Sequence, residues 1–389
     1  MGISLGLVGL GSFGSAFADL FMSHPLVDRI ALCDREAERV RTFAEKPSWQ
    51  AKLHEDDLYP SLDAICESDL DALVIITQPW LHAPQAIQAM EAGKHVYSAV
   101  PVISIADADE ILAWCDRLVA TVERTGLHYM LGETTYYRPQ AMYCRRRAAT
   151  GDFGHFVYAE GEYFHDVDAA CNLREVRRLR LASKAGAEWL SVEEKYRARG
   201  VKNGPMHYPT HSTSGPISVM QAHPVKVTAW GYANRDDDPY FADSAFSNET
   251  ALFQMSNGAT MRICEYREIG HPEREIFRVY GTGGSFENDT WTTATDVTAL
   301  TNEEMRDPLP PEVAEAFAQA AGPSFYGGHG GSHAYLVHEF VDAIAHDRVP
   351  AINVWEAVRY MAAGAMAHKS ALRDGESLDI PDWGDAPSG

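Results

Sequence analysis

The chain has little of what a disulfide-stapled, nucleic-acid-binding or membrane-spanning protein needs. Its 389 residues include six cysteines, Cys33, Cys66, Cys115, Cys144, Cys171 and Cys264, scattered with no CxxC pair. That spacing argues against a disulfide framework and against a cysteine-ligated zinc site, and fits free thiols in a reducing compartment. Positive charge is scarce: 33 lysines and arginines stand against 55 acids, a formal net charge of -22. Such a chain repels phosphate backbones and anionic membranes, so no nucleic acid and no membrane is expected as partner; its local basic runs suit only a small anion. No apolar run reaches the ~18 residues of a membrane span. The start, MGISLGLVGLG, shows no basic leader before its apolar stretch, so the expected location is cytoplasmic. With 46% hydrophobic and 23% charged residues, the composition is that of an ordinary globular protein. The length suits two or three domains of ~100–200 residues.

What is present begins with glycine. Residues 3–8, ISLGLV, read as a buried strand. Gly9-Leu10-Gly11-Ser12-Phe13-Gly14 follows, then a helical stretch over 15–21. This is G-x-G-x-x-G in a strand–turn–helix context. Gly9 makes the tight turn, Gly11 admits a pyrophosphate, and Gly14 lets helix and strand pack. The helix N-terminus offers free N–H groups to the phosphates. A second strand, 30–33, ends at Asp34, whose carboxylate suits the adenosine ribose hydroxyls and repels a 2′-phosphate, which selects NAD. Arg35 beside it keeps NADP as the second reading, and Asp34 also reads as a helix N-cap. The alternation continues through a strand at 73–76, a turn Thr77-Gln78-Pro79-Trp80-Leu81-His82 and a helix at 84–91. A strand at 95–98 leads to Ala99-Val100-Pro101, followed by a helix at 106–124 and a strand at 127–131. The predicted fold class is α/β, with an N-terminal Rossmann domain: a doubly wound parallel sheet that binds ligands beyond the carboxyl ends of its strands.

Strand-like runs then recur at 156–163, 225–232, 249–255, 260–266 and 275–280, with a tight turn at Gly281-Thr282-Gly283-Gly284. They predict a C-terminal α+β domain built on a large open, mostly antiparallel sheet. One face of such a sheet takes helices; the other takes a substrate cavity or a partner subunit. Between the strands, 172–200 is rich in arginine. Arg174, Arg177, Arg178 and Arg180 read as an ion-paired solvated face, or as holders of an anionic substrate group, with Arg178 the chosen contact. The stretch 199–216, RGVKNGPMHYPTHSTSGP, has His207, Tyr208 and His211 between two Gly-Pro pairs and no apolar periodicity. It reads as a polar surface loop or an active site. His207-x-x-x-His211 with His165 and Asp166 has metal-like spacing, but Pro209 intervenes and no HExxH or cysteine supports it, so no metal is expected. Apolar stripes at 332–346 and 354–372 read as core helices, 311–320 as a surface helix, and 382–389 as a flexible tail.

GLVGLGSFG, Asp34, TQPWLHAPQAIQAMEAGKHV (77–96) and the Pro101 turn together resemble the Gfo/Idh/MocA oxidoreductase family over nearly the whole chain. The resemblance implies cofactor contacts from Gly9, Leu10, Gly11, Ser12, Phe13, Gly14, Asp34, Arg35, Thr77, Gln78, Trp80, His82, Ala99, Pro101 and Glu133. It implies substrate contacts from Tyr136 and Tyr137 in the crossover after residue 131, and a homodimer or homotetramer. It also implies three units: an NAD-binding domain at 1–131, a substrate and oligomerisation domain at 132–331, and C-terminal helices at 332–389 that return to the first domain. The family's dehydrogenases carry Glu-Lys-Pro where this chain has Ala99-Val100-Pro101, and Val100 cannot carry a proton. (Glu45-Lys46-Pro47 lies before the third strand and reads as chance.)

Shorter motifs resemble one branch of that family, the NAD-dependent α-N-acetylgalactosaminidases and related oxidoreductive glycosidases. GEYFHD (161–166) is similar to its G-A-Y-x-H-D, NGPMHYPTHSTSGP (203–216) to its N-G-x-x-Y-P-T-H-G-x-G-P, and HGGSH (329–333) to its H-G-G element. Ser212 replaces that branch's glycine. Carried over, Tyr163, His165, Tyr208 and His211 form the catalytic cluster, with His207 and His329 as substrate contacts. The chemistry they suit is transient oxidation of a sugar C3 hydroxyl. The ketone so formed acidifies the C2 proton, a second base removes it, the C1 substituent leaves, water adds, and the ketone is reduced again. The expected function is therefore an NAD-dependent glycoside hydrolase, with a sugar or glycoside 3-dehydrogenase as the alternative. The expected partner is a small sugar or glycoside, possibly anionic. A catalytically silent NAD-binding regulator is the reading the four intact tyrosines and histidines oppose.

Overall fold

The computed structural model describes residues 2–169, 172–234 and 237–387; Cys171 falls outside them. The first sheet is built from β1 (Ile3–Val8), β2 (Val27–Cys33), β3 (Leu58–Tyr59), β4 (Ala72–Ile75), β5 (His95–Ser98) and β6 (Tyr129–Leu131). Its strands run parallel in the order β3-β2-β1-β4-β5-β6. The order reverses between β1 and β4, which opens a crevice at their carboxyl ends. β4 is buried along its length and β1 almost so, as parallel strands covered on both faces must be. The helix after the glycine turn spans Ser12–Ser23, longer at both ends than its apolar stripe suggests.

The second sheet collects β7 (Phe156–Phe164), β8 (Pro224–Ala233), β9 (Phe246–Met255), β10 (Thr260–Tyr266), β11 (Arg274–Gly281), β12 (Ser285–Glu287), β13 (Thr290–Thr292), β14 (Val297–Ala299) and β15 (Leu378–Asp379). Their order is β14-β13-β12-β11-β7-β10-β9-β8-β15. The β7–β10 pair is parallel, the other pairs antiparallel. The inner face of this sheet carries the helix Thr210–Met220, every residue of which is buried. The polar THSTSGP run is thus neither a surface loop nor an apolar core helix. It is a polar helix held inside the molecule, with the Ser212, Thr213 and Ser218 hydroxyls donating to nearby carbonyls and, from Ser212, to Glu265.

Close approach makes that possible. A Cβ on Gly161 of β7 would lie 1.9 Å from the carbonyl oxygen of Ser212. Only glycine there lets strand and helix touch backbone to backbone. Gly161→Ala therefore forces the helix off the sheet and is expected to cost about 1–3 kcal/mol. Thermal unfolding should show a lowered Tm, and turnover should fall with it because His211 rides on that helix; an unchanged Tm would contradict this packing.

The C-terminal helix Val354–Ala371 packs on the helix Ala108–Thr125 of the first sheet, on β8 and on the helix Thr210–Met220, so it ties both sheets together. The helix His333–Ala345 lies against the helix Ser12–Ser23. The tail beyond β15 is not loose, contrary to its composition. Arg359 pairs with Asp382 and Asp385, and the Trp383 indole donates to Asp116 at 2.7 Å.

Candidate active site

The glycine turn is shaped to hold a dinucleotide. Gly9 has φ of 95°, and a Cβ there would fall 2.2 Å from the Ile76 carbonyl oxygen. A Cβ on Gly14 would lie 2.1 Å from the Gly9 carbonyl oxygen, whereas one on Gly11 would meet only Arg39 Nη1, at 3.9 Å. The space in front of Gly11 and the helix N-terminus at Ser12 is the concavity a pyrophosphate needs. Asp34 ends β2 with its carboxylate accepting from the Leu10 N–H at 2.7 Å and from the Glu36 N–H at 2.7 Å. It fixes the glycine loop and keeps lone pairs for ribose hydroxyls. It is not the helix cap; Glu36 occupies that position.

Three expected cofactor contacts are placed differently. Arg35 turns away to pair with Glu188, and Arg39, which sequence reading missed, is the guanidinium beside Asp34 at 3.4 Å. His82 is buried, with Nδ1 2.9 Å from the Pro101 carbonyl oxygen. Burial pulls its pKa down to about 4, so this neutral ring braces the β4 turn to the Val100–Pro101 turn. Trp80 is covered by Trp189, ring centroids 4.5 Å apart. Thr77, Gln78, Ala99 and Pro101 line the same carboxyl-end turns.

Across the second sheet, strand register creates a row no linear motif reveals. Glu249 on β9, Glu265 on β10, Tyr163 on β7 and Glu275 on β11 stand side by side and face the buried helix. Each acid has partners. Glu249 accepts from the Met206 N–H and meets His368 at 2.7 Å. Glu265 takes the Ser212 hydroxyl and Arg267. Glu275 takes Arg138 and the Thr135 hydroxyl. The sequence signal for these acids was faint: single glutamates at inward positions of otherwise apolar strands.

His211, in the first turn of the buried helix, meets this row. Its Nδ1 lies 2.9 Å from Glu133 and 3.9 Å from Glu275. Glu133 also accepts from the Thr135 N–H at 2.9 Å. Nδ1–H donating to Glu133 fixes the tautomer and leaves Nε2 for the substrate. The Tyr163 hydroxyl is 2.7 Å from His165 Nδ1, and the Tyr163 and His211 rings are 4.9 Å apart. Tyr208 lies 5.6 Å from His211, ring to ring, and its hydroxyl donates to the Val100 carbonyl at 3.3 Å. His329 stacks on His211 at 6.1 Å and meets Phe13 of the glycine turn at 5.9 Å. Tyr163, His165, Tyr208, His211 and His329, drawn from three segments, are thus brought together next to the cofactor cradle. Arg267 lies over the Tyr163 ring at 4.9 Å and lines the adjoining cleft with His207, Tyr208 and Tyr240.

Tyr136, Tyr137 and Arg178 are not brought there. The helical turn Thr135–Tyr137 points Thr135 inward and its two tyrosines toward Arg145 and Tyr335. Arg178 is exposed and paired with Glu175, three residues earlier on the same helix. Glu133, His211 and Glu275 present ligand atoms within 4.8 Å of one another. Glu133 Oε1 is committed to His211 and the Thr135 N–H, and the Glu275 oxygens to Thr135 and Arg138, while Glu133 Oε2 has no hydrogen-bond partner among the described residues.

Charge follows from this packing. Burial lowers the pKa of His211, but Glu133, Glu275 and Glu265 outweigh it and raise it to about 9. Burial drives Glu265 up to about 7 against the pull of Arg267. Burial also holds Tyr163 well above 10 and raises Tyr208, so both are phenols at neutral pH. His207 is held well below 6.5 by burial and by His368, and its Nδ1 is 2.9 Å from the Asn203 side chain.

Residues 3–129 match the oxidoreductase family with an NAD-binding Rossmann fold, and residues 248–386 match the C-terminal domain of glycosyl hydrolase 109. The chain thus joins an NAD-binding domain like that of the Gfo/Idh/MocA oxidoreductases to a C-terminal domain like that of glycosyl hydrolase 109. A glycosyl hydrolase family 109 protein of Streptomyces filamentosus is 28% identical over 98% of this chain and 77% of its own length. An alpha-N-acetylgalactosaminidase of Tannerella forsythia is 24% identical over 80% of this chain and 70% of its own. A scyllo-inositol dehydrogenase from Lactobacillus casei, solved with NAD(H) and scyllo-inositol, shares the fold with a TM-score of 0.64 at 16% identity, covering 97% of this chain and 99% of that one. The protein is an enzyme and its cofactor is NAD. Among the described residues, no helix is long and apolar enough to cross a membrane.

Proposed function

We propose that the enzyme hydrolyses glycosides by transient oxidation of the sugar at C3. The observation that carries this reading is the meeting of two separate proton-handling pairs, His211–Glu133 and Tyr163–His165, at a position where Val100 offers none. NAD, when bound, supplies a hydride acceptor and later a hydride donor. Gly9, Gly11, Gly14, Asp34 and the helix at Ser12 are the residues that hold it.

His211 Nε2 takes the C3 hydroxyl proton as the C3–H bond is lost as hydride, and Glu133 stabilises the imidazolium. The C3 ketone then acidifies C2. Tyr163 takes the C2 proton while its own proton passes to His165, so no free tyrosinate is needed. The C1–O bond to the aglycone breaks, and the Tyr208 phenol is placed to protonate the departing oxygen. Water adds its oxygen to C1 and gives a proton back to Tyr208, the proton held at His165 returns through Tyr163 to C2, and hydride and the His211 proton return to C3. Glu133, Glu249, Glu265 and Glu275 are all tied to partners, and this route needs no pair of free carboxylates flanking the glycosidic bond.

The test uses NAD and a panel of aryl glycosides in D2O. Aglycone release with deuterium at C2 and no net NADH is the expected result. Stoichiometric NADH with a stable 3-keto sugar would replace this reading with a 3-dehydrogenase.

The pH dependence follows from His211. A base must be neutral to accept a proton, so kcat/KM climbs as pH rises through about 9. Glu133→Gln removes the nearest negative charge, burial then prevails, and the rising limb moves to lower pH. A pH–rate profile of aglycone release checks both. Stability runs the opposite way. The folded-state pKa lies above the ordinary 6.5, so the stabilisation is full below pH 6.5 and lost as pH rises through about 9.

Assembly as a homo-oligomer is part of the same proposal. Trp230, Tyr232 and Leu252 share the outer face of the second sheet by register and are 53%, 52% and 46% exposed. A ladder joining Glu160 and Glu162 to Arg262 and Arg278 flanks them. A monomer in sedimentation would contradict this.

A further inference from the structure

The two helices Leu173–Leu181 and Lys184–Ala198 form an arginine-rich hairpin. It rests against the carboxyl end of the first sheet through Lys184 to the Arg35 carbonyl at 2.7 Å, Arg35 to Glu188 at 2.8 Å and Trp189 on Trp80. Its arginines are answered by acids. Arg174 pairs with Asp168 and Asp238, Arg177 with Glu193, Arg178 with Glu175, Arg197 with Asp243, and Arg199, just beyond, with Asp107 and Glu110.

Arg180 is the exception. Among the described residues its guanidinium has no carboxylate, carbonyl or hydroxyl partner; its contact is the Trp80 ring, 5.8 Å away. It is partly buried, and it acts electrostatically on Tyr208, Tyr240 and His82; Glu193, whose charge also reaches it, is already paired with Arg177. Tyr208 belongs to the proposed catalytic cluster, and Tyr208 and Tyr240 line the cleft beside it. Taking a guanidinium out of water without a counter-charge is costly. In a chain of net charge -22, acids to pair it are plentiful, and five neighbouring arginines have them. The cofactor does not explain it, since the phosphate cradle is made by Gly11 and the helix at Ser12.

We propose that Arg180 is an anion subsite and that the glycoside turned over carries a carboxylate or sulfonate. The planar fork binds either group through two N–H donors, and the flanking Trp80 ring holds the guanidinium plane. The anionic group replaces the missing counter-charge, so substrate binding, rather than folding, neutralises Arg180. The substrate class rests on the glycoside reading; the anion site itself does not.

The experiment separates the two. Binding of unreactive thioglycosides to the enzyme loaded with NADH is measured by calorimetry for three sets: a neutral sugar with a neutral aglycone, an acidic sugar with a neutral aglycone, and a neutral sugar with an acidic aglycone. At least one acidic set should bind more tightly than the neutral one, and which one tells whether sugar or aglycone bears the charge. Arg180→Ala should reduce the acidic-over-neutral preference about 10–100-fold and leave the NAD dissociation constant unchanged. Arg178→Ala, two residues earlier on the same helix and already paired, should leave the preference intact. Equal weakening of acidic and neutral ligands, loss of NAD binding in Arg180→Ala, or no acidic preference in the native enzyme overturns the proposal. If the preference holds while aryl glycosides yield only a 3-keto product and NADH, the anion subsite stands and the hydrolytic reading falls.

Discussion

His211→Ala lowers kcat by about 10²–10⁴-fold, the usual worth of a positioned acid–base group, while NAD still binds. His211 meets the proposed chemistry on three counts. It is buried in the first turn of a helix that cannot shift, because Gly161 lets that helix rest on β7. Its Nδ1 is committed to Glu133 at 2.9 Å. Its stacking on His329, which reaches Phe13, places it beside the cofactor cradle. The cradle itself is built from Gly9, Gly11, Gly14 and Asp34, none of which touches His211, so the two functions separate on mutation. Tryptophan-to-NADH energy transfer measures binding, and aglycone release measures turnover. Near-normal turnover in His211→Ala refutes the role; loss of NADH binding shows that the two regions are not independent.

Tyr163→Phe is expected to divide the reaction. The phenol is buried, held as the neutral form, and hydrogen-bonded to His165 at 2.7 Å. Removing only its oxygen leaves the ring packed against His211 and Arg267, so the C3 oxidation site is preserved. The proton path from C2 to His165 is broken. Aglycone release should drop by about 10²-fold or more, while a stoichiometric burst of NADH appears and persists. Deuterium exchange at C2 should disappear in the same variant. If oxidation and elimination fall together, Tyr163 acts on the first step, and the division of labour between the two pairs is wrong.

The sequence carried the first sheet well because its signals are local. A parallel strand buried on both faces is a continuous apolar run, and the turn after β1 needs glycine within six residues, for the positive φ of Gly9 and for the approach of Gly14 to the Gly9 carbonyl. Strand limits in the second sheet were also legible by alternation, and β10 spans Thr260–Tyr266 as the pattern predicts. The motif residues Tyr163, His165, Tyr208 and His211 were named from resemblance, not from any periodicity. The buried helix that bears His211 was unreadable, because a polar run promises exposure unless something inside the molecule answers its hydroxyls. Here Glu265 answers Ser212 from β10, 53 residues downstream.

The helical hairpin shows the same limit from the other side. Arg178 and Arg180 are equivalent in composition, and nothing in the linear chain ranks one above the other. Two residues on a helix are about 200° apart, so one guanidinium faces Glu175 and solvent while the other faces the Trp80 ring. Tyr136 and Tyr137 were misjudged for a like reason: one helical turn exchanged them for Thr134 and Thr135 at the site.

The sequence by itself determined that a dinucleotide cradle stands at the amino end, that NAD is its ligand, and that residue 100 is a valine, with no proton to give or take. Each of these depends on residues adjacent in the chain or on a missing side chain. The tertiary structure decided which acids tune the tyrosines and histidines, since Glu249, Glu265, Tyr163 and Glu275 become neighbours only when four strands are laid in register. It also decided that Glu133, Glu275 and Glu265 hold His211 positive, that the tyrosines stay neutral by burial, and that Arg180 has no ion-pair partner among the described residues. Charge states and pairings depend on what lies across the sheet or over the cleft, and that distance in space has no counterpart along the chain.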